Sequence, residues 1–189
     1  MRLPLLPPAD LTEEQKPLYA DMKAGIAEKF NVFKTIDKQG ALLGPWNPWL
    51  HAPKIGGAVW ELTKAMSLHS TLPDNIRQIA ILVVGVDFDA AYEIYAHIAV
   101  AESDGMSAAR IQALLAGDRP DDLTQDEETA HDVAMALIGG GVLPDELHAA
   151  AVAAFGPHGA YELITLVGLY CLVSVMLNGF DVPVPDEDA

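Results

Sequence analysis

Glu93 and His97 stand four positions apart in the run YEIYAH, residues 92–97. On a helix their side chains lie one above the other. A carboxylate held there can orient an imidazole, select its tautomer and favour its protonated form. That makes a general acid or base near neutral pH. The plain alternative is an i,i+4 surface pair worth about 0.2–0.5 kcal/mol. The neighbours Ile94, Ala96, Ile98, Ala99 and Val100 leave only a narrow solvated face, which weighs against a surface pair.

Other residues offer binding rather than proton transfer. The stretch GPWNPWLHAP, 44–53, brings Trp46, Asn47, Trp49 and His51 within six positions. Two indoles and an amide can wall a small-molecule pocket, or plug the core where the loop crosses a bundle. His69 ends a predicted helix, as a pocket residue or as a cation at a helix C-terminus. Arg77 can clamp a substrate carboxylate with its fork of donors, or pair with Asp74 one turn earlier. No metal is expected. His131, His148 and His158 lack ligand spacing, there is no HExxH, and Glu93-x3-His97 supplies two ligands at most. A glycine-rich phosphate loop and a GxSxG elbow are both absent from the sequence, and no cofactor is expected.

The elements that must position these residues read as helices nearly throughout. Thr12 with Gln15 suggests a capping box opening a helix to about Phe30. An irregular stretch with one helical turn fills 31–53. Helices follow over 54–69, 73–86 and 89–104, the last stopped by Gly105. Ser107 caps a helix to Ala116, and DRPDD, 118–122, is a linker. Thr124 with Glu127 forms a second capping box, opening a helix to Ile138. Pro144 begins 144–155, and an apolar helix ends near 180. The tail from 181 reads as extended and partly disordered. TLPDNIRQIAILVVG (71–85) matches VLPDELHAAAVAAFG (142–156), and YEI at 92–94 matches YEL at 161–163. Each copy reads as helix, glycine turn, helix. The second keeps a glutamate, Glu162, but has Leu166 where the first has His97. The expected fold is therefore one all-α domain, a helical bundle built on a duplicated helix-turn-helix hairpin. Its parts are 1–53, the core hairpin 54–116, the degenerate hairpin 121–180 and the tail 181–189.

Composition narrows the function. The formal charge is −16, and residues 120–189 hold 13 acids and no Lys or Arg. Such a surface repels phosphate backbones and anionic lipid, so nucleic-acid and membrane-surface roles are not expected. Of the 189 residues, 51% are hydrophobic, an excess that suggests surface buried between subunits. The lone cysteine, Cys171, excludes an internal disulfide and a CxxC pair. The N-terminus lacks a signal-peptide h-region, so a cytoplasmic protein is expected. Residues 163–180 carry no formal charge. They have no cationic flank and are interrupted by Thr165, Ser174 and Asn178, which favours a buried central helix over a membrane span.

The segment LPDNIRQIAILVVG...YEIYAHIAVAESDGMSAARIQALL, 72–115, resembles the core of the carboxymuconolactone decarboxylase family, which shares its fold with alkylhydroperoxidase D. The 44–53 loop and the terminal LNGFDVPVP resemble a longer subgroup. The resemblance implies an all-α, alkylhydroperoxidase D-like bundle assembled as trimers or hexamers. The peroxidase branch carries Cys-x2-Cys-x3-His, where this chain has Ala90 and Glu93, so thiol-based peroxide reduction is not expected. That branch also has a glutamate where Gln78 stands. Gln78 can hydrogen-bond but cannot relay a proton. The decarboxylase branch has Glu-x3-His, matched by Glu93 and His97. The resemblance thus implies a cofactor-independent lyase or isomerase acting on a small carboxylated or lactone substrate. His97 and Glu93 would be catalytic, with Trp46, Asn47, Trp49, His51, His69, Arg77 and Gln78 around the substrate. Two alternatives stay open: an oxidative or hydrolytic enzyme on the same fold, and a non-catalytic module binding an apolar ligand through Trp46, Trp49 and Trp60.

Overall fold

A computed structural model describes residues 1–186. Eight α-helices follow one another: α1 (Lys16–Lys29), α2 (Trp46–His51), α3 (Pro53–His69), α4 (Asp74–Asp87), α5 (Ala91–Ser103), α6 (Ala108–Leu115), α7 (Gln125–Ile138) and α8 (Asp145–Gly179). Among the described residues there is no β-strand, only an isolated bridge between Ile36 and Leu42. The all-α expectation holds. The chain divides into two compact units, and the cut falls within α8. One unit is Met1–His69 with the residues from Met176 onward, and the other is Ser70–Val175.

In the first unit, α1, α2 and α3 pack on one another. The Thr12–Gln15 box forms by half. The Gln15 side chain accepts from the Thr12 N–H at 2.9 Å, no side-chain bond caps α1, and the helix starts at Lys16. Trp60 is buried on α3, and its Nε1 donates to Asp21 Oδ2 at 2.8 Å. Lys64, at 2.7 Å, holds the Asp21 carboxyl below the usual carboxylate range, outweighing partial burial, and Trp60 adds to the effect. Gly56 permits the α2–α3 crossing, because a Cβ there would sit 2.6 Å from Trp49 Cα. Residues 183–186 are non-helical as expected, though tied by Lys34 Nζ donating to the Asp186 carbonyl at 2.8 Å. The remainder of the expected disordered tail, 187–189, lies outside the described residues.

The second unit is organised around α4, which packs against α5, α6 and α7. Its residues 78–85 are all buried, as a helix apolar on every side must be. Pro73 stands just outside α4 as its N-cap residue. Both remaining cap expectations hold: Ser107 Oγ accepts from Arg110 N, and the Thr124–Glu127 box is complete. Gly105, at φ +88°, ends α5, and Met106 N bonds to Ala101 O at 2.8 Å.

The repeat departs from expectation at its glycines. Gly85 stays inside α4, and the turn comes at Asp89, which takes φ +48° while Ala90 N closes on Gly85 O at 2.9 Å. A short polar side chain tolerates that left-handed position. Gly156, its counterpart, does make the break, with φ +70° and ψ +170° ahead of Pro157, inside α8. By length and composition α8 could cross a membrane, and half of its most apolar 18-residue window is buried.

Two buried carboxylates brace this unit. Glu162 accepts from Thr71 N at 2.9 Å, from the Ser70 and Thr71 hydroxyls at 3.1 Å, and contacts His158 Nε2 at 2.9 Å. Glu127 takes Asn75 at 2.7 Å, Thr124 N at 2.8 Å and Arg110 at 3.0 Å. Burial alone would raise both carboxyls. The backbone N–H of Thr71 or Thr124, with the side-chain donors and the nearby cations, brings each below the usual glutamate range.

Two predictions follow from this packing. Gly56→Ala should lower unfolding free energy by roughly 1–3 kcal/mol through overpacking against the Trp49 backbone; an unchanged urea midpoint would contradict that close approach. Carboxyls lowered in the folded state stabilise it above the unfolded value of about pH 4.3 and lose that contribution as pH falls. Glu162→Gln with Glu127→Gln should therefore be less stable than wild type at neutral pH and lose less stability on acidification. Parallel stability–pH curves for the two proteins would refute this account.

Candidate functional site

The Glu93–His97 pair sits in the second unit, where α5 packs against α4. Both residues are buried, Glu93 at 3% and His97 at 8% exposure. His97 is held from three sides. Its Nδ1 lies 2.8 Å from Gln78 Oε1 on α4. An amide oxygen only accepts, so Nδ1 carries a proton and Nε2 is left for chemistry. Nε2 stands 3.1 Å from Glu93 Oε1. That approach is off the hydrogen-bond line, and Oε1 has no aligned donor among the described residues. The two facts together describe a contact without a completed hydrogen bond, ionic only when the imidazole is protonated. Tyr170 of α8 presses against the imidazole ring edge-on, with centroids 5.0 Å apart and planes at 89°.

The surroundings are electrostatically specific. Burial pushes the Tyr170 hydroxyl well above its ordinary range; Glu93 adds to this and Arg77 opposes it. The phenol therefore stays protonated as a hydrogen-bond donor. Partial burial and then Asp74 push the Asp104 carboxyl up, while Arg77 and His97 pull it down. Arg77 thus shares the neighbourhood of both His97 and Tyr170. It forms an ion pair with Asp74, as its spacing allowed, yet its buried Nε has no partner among the described residues. Ser174, one turn beyond Tyr170, also buries a hydroxyl without a partner among the described residues.

Of the residues expected around a substrate, Gln78, Glu93 and His97 are brought together, with Arg77 nearby. The others belong to the first unit. There Trp46 stacks on Phe33 at 6.3 Å and tilts against Phe30 at 5.7 Å. Asn47 accepts from Leu6 N and donates to Pro4 O, both at 3.1 Å, and so staples the N-terminal segment. His51 Nε2 donates to the same Pro4 carbonyl at 2.9 Å. Trp49 packs beside Trp60, with centroids at 6.4 Å. The Nε1 atoms of Trp46 and Trp49 are buried and unpartnered among the described residues. His69 is exposed at the last position of α3, where a cation meets the negative end of the helix dipole.

Tyr170 was not anticipated. A signal existed: Leu166 is the repeat counterpart of His97, and Tyr170 lies one turn further along the same face. Cys171, half-buried on α8, has its thiol pushed up by burial and by Asp87. Among the described residues no group of three or more His, Cys, Asp or Glu is placed to hold a metal ion.

Neither the family models nor the curated proteins contain a match to this sequence. Among solved structures, the chain is similar to a crystal structure from Agrobacterium tumefaciens of a protein of unknown function, provisionally described as the antioxidant defence protein AhpD. The TM-score is 0.66 at 18% identity, covering 75% of this chain and 97% of the other. That likeness establishes the fold as AhpD-like, in agreement with the all-α reading, and carries no activity with it.

Proposed function

We propose that the protein is a cofactor-independent lyase or isomerase that moves a proton on a small carboxylated or lactone substrate. The observation that carries this reading is the contrast between two repeat-related glutamates. Glu162 has its donors in place and is structural. Glu93 is equally buried, but its Oε1 lacks an aligned donor and faces an imidazole nitrogen at 3.1 Å. A buried carboxylate left this way weakens the fold. Such a loose contact suits a pair that exchanges a proton and tightens around a substrate.

In this reading a substrate carboxylate or carbonyl lies toward Arg77 Nε and the Tyr170 hydroxyl. Loss of CO2 breaks the carbon–carboxylate bond and leaves its electron pair conjugated into the lactone carbonyl. His97 Nε2, proton-loaded and steadied by Glu93, then delivers a proton to carbon. Isomerisation uses the same pair to remove a proton beside the carbonyl and return it elsewhere. Gln78 keeps Nδ1 engaged so that the exchange runs through Nε2. The antioxidant description of the structural neighbour does not transfer by a thiol route. Positions 90 and 93 are Ala and Glu, and the single thiol, Cys171, is held protonated by burial.

The test is turnover of a panel of unsaturated lactone carboxylates, followed by CO2 release and by solvent deuterium entering the product. His97→Asn should lower kcat by roughly 10²–10⁴-fold, the usual contribution of a general acid or base, with the thermal midpoint retained. Gln78→Leu should lower kcat less and shift the pH profile. Wild-type protein that turns over no member of the panel, or a His97→Asn variant of full activity, would overturn the proposal.

A further inference from the structure

A second cluster in the same unit takes no part in the chemistry above. A cavity of about 160 Å³ opens between α4, α6 and α7, with Val83, Leu114 and Met135 as apolar lining and Asp87, Asp118 and His131 as its polar groups. Asp87 and Asp118 are exposed, and neither carboxylate is in an ion pair or side-chain hydrogen bond among the described residues. His131 has a side chain only 9% exposed, and its Nδ1 lies 2.9 Å from Asp132 Oδ1. A carboxylate only accepts, so Nδ1 carries the proton. In the neutral imidazole Nε2 then presents a lone pair. It has no partner among the described residues, yet it is not sealed from solvent. Asp132 is itself steadied by Arg119 at 3.0 Å, and Arg119 also reaches Glu128 at 3.8 Å. Arg119 is therefore committed to acids outside the cavity lining.

We infer that this cavity is a binding site for a short-chain alkylammonium. The pattern is three acceptors, no free donor and an apolar wall. Its acceptors match the N–H donors of a primary ammonium, the two rim carboxylates supply uncompensated charge, and Val83, Leu114 and Met135 receive the alkyl chain. The size agrees, since an apolar cavity of about 150 Å³ holds a six-carbon ring, so a ligand of roughly five or six non-hydrogen atoms fits. The same field repels a carboxylate, which separates this site in chemistry from the one at His97.

Calorimetric titration with n-butylammonium chloride at about pH 8 and low salt keeps the amine charged. Saturable 1:1 binding is expected, with no heat from sodium butyrate and at least roughly tenfold weaker binding of n-butanol. Asp87→Asn with Asp118→Asn, both on the exposed rim, should retain the thermal midpoint and weaken n-butylammonium at least about tenfold. In nitrogen NMR, n-butylammonium should move the His131 Nε2 resonance more than that of His97. The inference is overturned if wild type shows no saturable binding, if the rim variant binds equally well, or if butyrate binds as tightly. None of these readouts involves turnover, so failure here leaves the lyase reading untouched.

Discussion

A carboxylate and an imidazole lie 3.1 Å apart within one apolar helix, both almost entirely removed from water. Taking either group out of water is costly unless it is paired and hydrogen-bonded. Only part of that requirement is met. Gln78 completes one side of His97, Tyr170 covers its ring, and Glu93 Oε1 is left without an aligned donor. The arrangement depends on α4 and α5 being held at a fixed spacing. Gly85 faces this pair across the packing, where a Cβ would stand in ordinary contact with Glu93 Cγ at 3.4 Å. The Asp89 turn then brings α5 back along α4.

The duplication supplies an internal control. Two hairpins of related sequence place a glutamate at the same position, after the same Leu-Pro-Asp helix start. In the second, His158 lies one turn before the glutamate, and Ser70 and Thr71 close around it. In the first, the histidine lies one turn after, and an amide holds it from α4. One copy uses its carboxylate to fasten backbone; the other keeps a proton acceptor in a nearly dry site. In the proposed reading, fold and chemistry are divided between the copies.

Much of this was legible along the chain because it is local. The positions of α3 to α7, the Ser107 and Thr124–Glu127 caps and the Gly105 stop all rest on residues within a turn of one another. The Glu93–His97 contact follows from four-residue spacing alone. What was not legible is set by packing between distant segments. The repeat places Tyr170 one turn past the counterpart of His97, but LVGLYCLVSV alone does not say that its ring meets an imidazole 73 positions earlier. The carbonyl partners of Asn47 and His51 come from Pro4, and those bonds turn a stretch that reads as pocket wall into a staple for the N-terminal segment. Gly85 illustrates the limit from the other side. A glycine that reads as a turn remains helical, because Asp89 accepts the left-handed position four residues past it.

The most direct test of the central claim is a crystal structure of the protein soaked or grown with unsaturated lactone carboxylates. The account predicts ligand density within hydrogen-bond reach of His97 Nε2, with a carboxylate or carbonyl oxygen toward Arg77 and Tyr170. Density bound only elsewhere, or His97 Nε2 locked in an aligned hydrogen bond to Glu93 with no space beside it, would contradict the account and make the pair a structural ion pair.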